Sequence, residues 1–105
     1  MKGGVNLKLT KLANFYLQYM INEYYKTHNR TFTNWEEMVL MFPNEDEKII
    51  CDAFIKLNDD GLIKIFWASN IPYGISLNIN AIVEAEQNTR LRKTYACLKE
   101  LKSWL

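Results

Sequence analysis

Histidine and clustered carboxylates are the side chains here with the widest catalytic use, and neither forms a catalytic set. His28 lies beside Asn29 in a predicted loop, and no serine or cysteine stands near it in a nucleophile motif. The acids Glu45, Asp46 and Glu47 fall at a predicted helix start, where the helix dipole stabilises carboxylates. The sequence has no glycine-rich phosphate loop and no metal-ligand spacing. We therefore expect no enzymatic activity, metal site, cofactor or small-molecule substrate.

Cysteine use and hydropathy indicate a reducing compartment. Cys51 and Cys97 are isolated, without a C-x-x-C pair, so packed thiols are expected rather than a disulfide or a zinc site. The apolar runs are short, and residues 1–9 lack the apolar segment of a signal peptide, so we expect a cytoplasmic protein without membrane insertion. A chain of 105 residues, 49% of them apolar and 24% charged, is expected to form one globular domain.

Charge is segregated along the chain, although the net charge is only +1. Residues 1–30 carry five bases and one acid, whereas residues 31–60 carry eight acids and two lysines. Residues 61–87 sum to −1, and residues 88–105 carry five bases against Glu100. Two basic ends therefore flank an acidic middle, and a polyanion is expected to bind away from that middle.

Basic residues at both ends and aromatic residues in a predicted hairpin are a combination suited to nucleic acid. Positive side chains contact phosphates, and unpaired bases stack on aromatic rings. The candidate nucleic-acid-binding residues are Lys8, Lys11, Lys64, Trp67, Tyr73, Arg90, Arg92, Lys93, Lys99 and Lys102. The alternative is that these bases only keep helix surfaces soluble and that Trp67 belongs to the core.

The first predicted element is a long amphipathic helix. From Leu9 to about Tyr25, apolar residues recur at three- and four-residue spacing. The predicted polar face consists of Lys11, Asn14, Gln18 and Asn22. Because Phe15 and Tyr19 lie outside the main apolar arc, we expect this helix to pack on more than one side.

Two shorter helices are predicted next, after a short β-prone segment. Thr33 and Glu36 have the T-x-x-E spacing of a capping box and predict a helix over residues 34–41. Asn44 is expected to cap a third helix, with acids in its first turn. That helix is expected to end before Gly61, because glycine adopts the left-handed conformation at little steric cost.

The remaining sequence predicts a β-hairpin followed by helices. Residues 62–68 are rich in β-branched and aromatic side chains and predict a strand, with residues 75–79 as its partner. Residues 69–74 predict a six-residue turn between them. A short helix is expected over residues 80–87 and a longer one over residues 89–105.

This order of elements predicts an α+β fold of the winged-helix type. A helix-turn-helix is followed by a β-hairpin wing, between long N-terminal and C-terminal helices. The third helix takes the position that reads bases in such proteins, yet its start carries Glu45, Asp46 and Glu47. Phosphates repel these carboxylates, so docking of this helix in duplex DNA is disfavoured.

The C-terminal sequence RKTYACLKELKSWL, together with LNDDGLIK upstream, resembles the YjcQ-like family of small winged-helix proteins from Firmicutes and their phages. The resemblance covers residues 44–105, and its pattern residues are Tyr95, Lys99, Glu100, Leu101, Lys102 and Trp104. It implies a winged helix and a bacterial, phage or other mobile-element origin. It implies no established activity and supplies no catalytic residues.

Two functions follow from these patterns. The leading interpretation is a non-enzymatic accessory protein that binds DNA, single strands included, through the basic terminal helices and the wing. The alternative is a protein-interaction or homodimerisation module without direct DNA binding, including a regulator that mimics DNA. The candidate interface residues for this alternative are Phe15, Tyr19, Trp104 and Leu105.

Overall fold

The computed structural model describes the backbone of residues 3–87 and the side chains of residues 8–86. In chain order the elements are α1 (Gly3–Thr27), β1 (Thr31–Phe32), α2 (Trp35–Leu40), α3 (Glu47–Asp59), β2 (Ile63–Ala68), β3 (Ile71–Leu77) and α4 (Ile79–Gln87). Within this part of the chain the fold is α+β, with four helices and one three-stranded antiparallel sheet in the order β1-β3-β2. This arrangement is compatible with a winged helix. The helix predicted over residues 89–105 lies outside the described residues.

The helix α1 packs on more than one side, as its broad apolar arc predicts. The ring centroids of Tyr16 and of Phe54 in α3 lie 4.6 Å apart. The Tyr16 hydroxyl donates a hydrogen bond to the Met38 carbonyl at 2.5 Å. Burial raises the pKa of this phenol well above its usual value. Phe15 packs against Phe42, with 4.8 Å between ring centroids.

The predicted polar face of α1 is wrong at two positions. Asn14 is only 7% exposed and Gln18 only 3%, so neither amide faces water. The Oδ1 atom of Asn14 and the Nε2 atom of Gln18 have no hydrogen-bond partner among the described residues. Periodicity identifies the most apolar side of a helix, but it does not show how many other sides are covered.

The C-terminal end of α3 agrees with its prediction, and the N-terminal end does not. Gly61 has φ +78°, and the bonds from Leu62 N–H to Leu57 O and from Gly61 N–H to Asn58 O close the helix in a Schellman motif. The left-handed stop is therefore confirmed. The predicted cap at Asn44 is wrong, because Asp46 is the N-cap and its carboxylate accepts a hydrogen bond from the Lys48 N–H at 3.0 Å.

The start of α2 also differs from the predicted capping box. The N-cap is Asn34 rather than Thr33, and it makes no side-chain bond to a backbone N–H of the helix. Its Nδ2 atom donates instead to the Glu37 carboxylate at 2.9 Å. Because the helix begins one residue later than predicted, Glu36 occupies the second helical position, one residue before the capping-box position.

The β-hairpin is tighter than predicted. Ser69 and Asn70 both have positive φ, 53° and 68°, and form a two-residue turn of the kind that matches strand twist. The six-residue turn is therefore wrong, and β3 begins at Ile71. Pro72 is compatible with this strand because β1 pairs only farther along β3, which leaves Pro72 on an open edge.

The base of the hairpin is fixed to the end of α3. The Asn78 N–H donates to the Leu62 carbonyl at 2.9 Å, and its side-chain amide donates to the Gly61 carbonyl at 2.8 Å. The Ile65 N–H donates to Asn58 Oδ1 at 3.3 Å. These bonds determine where the hairpin leaves the core. Within residues 3–87, no helix is long and apolar enough to cross a membrane.

Substitution of Gly61 tests the stop of α3. An added Cβ atom would meet no other atom within 4 Å, so the effect is conformational. We expect Gly61→Val to lower the free energy of unfolding by about 1–2 kcal/mol, and Gly61→Asn to lower it less, because asparagine tolerates this conformation. Denaturant titration measures both, and equal stabilities of the two variants would contradict the assignment.

Candidate functional site

Three exposed aromatic side chains and one lysine share the β2–β3 hairpin. Phe66 is 49% exposed, Trp67 50% and Tyr73 59%. Lys64 is also exposed and lies on β2. We call these four residues the hairpin surface. Large aromatic side chains exposed together on one element are unusual for a surface that contacts only water, and they mark a candidate binding site.

Strand alternation explains why Lys64 and Phe66 are exposed. Ile63 and Ile65 face the core, so the residues between and after them face outward. Phe66 pairs with Gly74, and a Cβ atom at that glycine would lie 3.6 Å from the Phe66 Cβ. That distance is an ordinary van der Waals contact, so the Phe66 side chain lies directly beside Gly74.

A β-bulge determines the course of the hairpin beyond Phe66. Phe66 pairs with Gly74, but the next residue, Trp67, pairs with Pro72, which makes Tyr73 the extra residue of β3. A bulge increases local twist and changes the direction of the side chains next to it. Trp67 and Tyr73 are exposed in the outer half of the hairpin, although Pro72, which pairs with Trp67, is buried.

The electrostatic character of the hairpin surface is weakly positive. The Nζ atom of Lys64 lies 5.6 Å from the centroid of the Phe66 ring, within cation–π range. The sequence has no acid between Asp60 and Glu84, so no carboxylate belongs to the hairpin itself. A negatively charged ligand would meet a cation beside the Phe66 ring and no carboxylate of the hairpin itself.

The acids at the start of α3 each have a partner in the structure. Glu45 Oε1 lies 3.1 Å from the Lys8 ammonium, and Asp46 caps the helix. Glu47 Oε2 accepts a hydrogen bond from the Trp35 indole N–H at 2.8 Å. These contacts give the carboxylates structural roles. They also place Lys8 at the acidic end of α3, whereas the sequence grouped it with the nucleic-acid-binding residues.

The other predicted binding residues are distributed outside the hairpin. Lys11 is exposed on α1. Five predicted basic residues, Arg90, Arg92, Lys93, Lys99 and Lys102, lie outside the described part of the chain, as do Trp104 and Leu105. Phe15 and Tyr19, predicted as interface residues, pack against the aromatic rings of Phe42 and Phe32 in their own chain.

The described part of the chain contains one histidine, His28, and one cysteine, Cys51. No group of three or more His, Cys, Asp or Glu side chains there could hold a metal ion. His28 is exposed with φ 62°, and its ring stands edge-on to Tyr24 at the end of α1. Burial and the neighbouring Asp52 and Glu47 raise the pKa of the Cys51 thiol, which lowers its nucleophilic thiolate fraction. Cys97 lies outside the described residues.

Two exposed residues did not enter the sequence-based site. Phe66 could have been found, because the alternation of Ile63, Lys64 and Ile65 already assigns it to the outer face of β2. Leu40 is 67% exposed, and periodicity alone did not separate it from the buried residues of α2. Its exposure depends on the place where α2 ends.

Comparison with known proteins gives no further assignment. No protein-family model, curated protein or solved structure matches the chain. The resemblance to the YjcQ-like family therefore stays a prediction, and any function must be argued from the surfaces of the molecule itself.

The structural role of the acids at the start of α3 can be tested with two substitutions. We expect Glu47→Ala to lower the free energy of unfolding by about 1 kcal/mol, because the indole N–H of the buried Trp35 loses its acceptor. Glu45→Ala is the matched control and should cost less, since an ion pair whose lysine is exposed contributes about 0–1 kcal/mol. Thermal or denaturant unfolding measures both, and a larger effect of Glu45→Ala would contradict these roles.

Proposed function

We propose that this chain is a winged-helix protein that binds single-stranded nucleic acid through its hairpin surface. In this proposal α2 and α3 are the helix-turn-helix and the β2–β3 hairpin is the wing. The sheet order β1-β3-β2, with a short first strand between α1 and α2, supports this interpretation. No enzymatic step is part of the proposed function.

The observation that carries the proposal is the exposure of Phe66, Trp67 and Tyr73 on a hairpin without acids, with Lys64 beside the Phe66 ring. Bases of a single strand present their faces, and each base stacked on an aromatic ring contributes about 1–3 kcal/mol. A base-paired duplex presents edges instead of faces. The aromatic content of the surface therefore favours unpaired nucleic acid over duplex.

The charge distribution supports the same choice of surface. Glu45, Asp46 and Glu47 lie at the start of α3, which in a helix-turn-helix would approach the phosphates of a duplex. Their internal contacts neutralise them only in part, because the Lys8–Glu45 ion pair is the one cation contact found among them in residues 8–86. The basic residues near the chain ends would add long-range attraction, as their sequence positions suggest.

The first test measures stacking. Fluorescence anisotropy of a labelled oligothymidine should show binding to the full chain at low salt, and Trp67→Ala should weaken it about tenfold, within the range for one stacked base. Trp67→Phe should retain most of the affinity, because a phenyl ring still stacks. Val83→Ala, at an exposed apolar position on α4, is the matched control and should bind like the unchanged chain. Absence of binding to either single-stranded or duplex DNA at low salt would overturn the proposed function.

The second test compares two exposed lysines, one on the hairpin and one on α3. Lys64→Ala should weaken binding and reduce the slope of log affinity against log salt by about 0.7, the value for one lost phosphate contact on a single strand. Lys48→Ala, which removes the same charge from α3, should change that slope less. The opposite ranking would identify α3 as the nucleic-acid-binding helix and contradict the use of the hairpin.

A further inference from the structure

A second exposed apolar feature lies where α2 meets the start of α3, away from the hairpin surface. An open groove there is lined by Trp35, Glu36, Val39, Leu40 and Glu47, and we call it the acidic groove. Leu40 is 67% exposed, more than any other large hydrophobic side chain in the described part of the chain. Leu40 and the partly exposed Val39 give the groove an apolar side next to its acids.

The floor of the acidic groove is fixed by internal contacts. Trp35 is buried, and its ring stands edge-on to Phe54 of the core, with 5.6 Å between centroids. Its indole N–H donates to Glu47 at 2.8 Å, which holds that carboxylate at the rim of the groove. A ligand would therefore meet a preformed surface, and little conformational entropy would be lost in ordering it.

The charge around the acidic groove specifies the sign of its partner. Residues 34–52 carry six acids and one lysine, Lys8 of α1 neutralises Glu45, and both polar lining residues, Glu36 and Glu47, are acids. Nucleic acid is repelled from such a surface. A partner must bring positive charge to the rim and an apolar side chain to Leu40 and Val39, a pairing that amphipathic helices provide at three- and four-residue spacing.

We propose that the acidic groove binds a basic amphipathic helix of another protein. Leucine-like side chains of that helix would cover Leu40 and Val39, and its lysines or arginines would lie beside Glu36 and Glu47. The site differs in position and in charge from the hairpin surface. It would allow the chain to hold a protein partner and a nucleic acid at the same time.

The test uses a synthetic helical peptide of leucine and lysine, with the leucines at three- and four-residue spacing. In nitrogen-15 spectra of the full chain, the indole N–H signal of Trp35 reports directly on the groove, because that N–H bonds to a rim carboxylate. We expect the peptide to shift this signal. We expect a peptide with glutamate in place of lysine, and one of scrambled order, to leave it unchanged.

Substitutions distinguish peptide binding in the groove from nonspecific attraction between opposite charges. Leu40→Ser should weaken peptide binding about tenfold, as for loss of a central apolar anchor, and its exposure predicts little effect on folding. Glu36→Gln should weaken it and reduce its salt dependence. Val83→Ser removes an exposed apolar side chain from α4 and is the matched control, expected to bind like the unchanged chain.

Several outcomes would overturn the groove proposal. One is unchanged peptide affinity in Leu40→Ser, and another is equal binding of the glutamate peptide. A third would come from light scattering, if the chain alone formed a dimer that Leu40→Ser dissociated, because the occupant would then be a second copy. None of these results bears on binding of oligothymidine by the hairpin, so the two proposals can fail separately.

Discussion

The packing of Tyr16 at the junction of three helices is the constraint on which the rest of the structure depends. Its hydroxyl is buried and donates to the Met38 carbonyl at the end of α2, while its ring contacts Phe42 and Phe54. A buried hydroxyl without an acceptor is costly, so α2 must lie where it accepts this bond. This contact sets α1, α2 and α3 relative to one another. The position of α3 in turn determines where the hairpin begins, because Asn78 donates hydrogen bonds to the carbonyls of Gly61 and Leu62, which follow that helix.

The packing of these helices and the hairpin leaves two surfaces that differ in charge. The hairpin contributes its inner face to the core and presents exposed aromatic rings, with Lys64 beside Phe66, whereas the start of α3 presents carboxylates beside Leu40. The segregation arises because the acids serve α3 locally, through the Asp46 cap and the bond of Glu47 to Trp35. Helix starts favour carboxylates and hairpin tips do not need them. A chain of weak net charge thereby has two surfaces that differ in charge.

Sequence patterns predicted the existence and order of the described elements, because periodicity and the stop at Gly61 are local signals. These patterns failed where two nearby residues suit the same role, or where a segment can adopt more than one conformation. Asn44 and Asp46 are both good N-caps, and the helix begins after Asp46, where Glu47 also accepts a hydrogen bond from the Trp35 indole N–H. Ser69 and Asn70 form a two-residue turn of positive φ, which their sequence permits but does not require.

The buried amides of α1 were missed because burial depends on tertiary neighbours. In the same way, Phe66 was predictable from alternation and the exposure of Leu40 was not.

The central claim is that single-stranded nucleic acid contacts the hairpin surface and not α3. Ultraviolet cross-linking of a single-stranded oligonucleotide to the full chain, followed by mass spectrometry of the joined peptides, locates that contact directly. The account predicts adducts on Trp67, Tyr73 or Phe66, whose rings are exposed for stacking. Adducts confined to residues 47–59 of α3, with none on the hairpin, would contradict it.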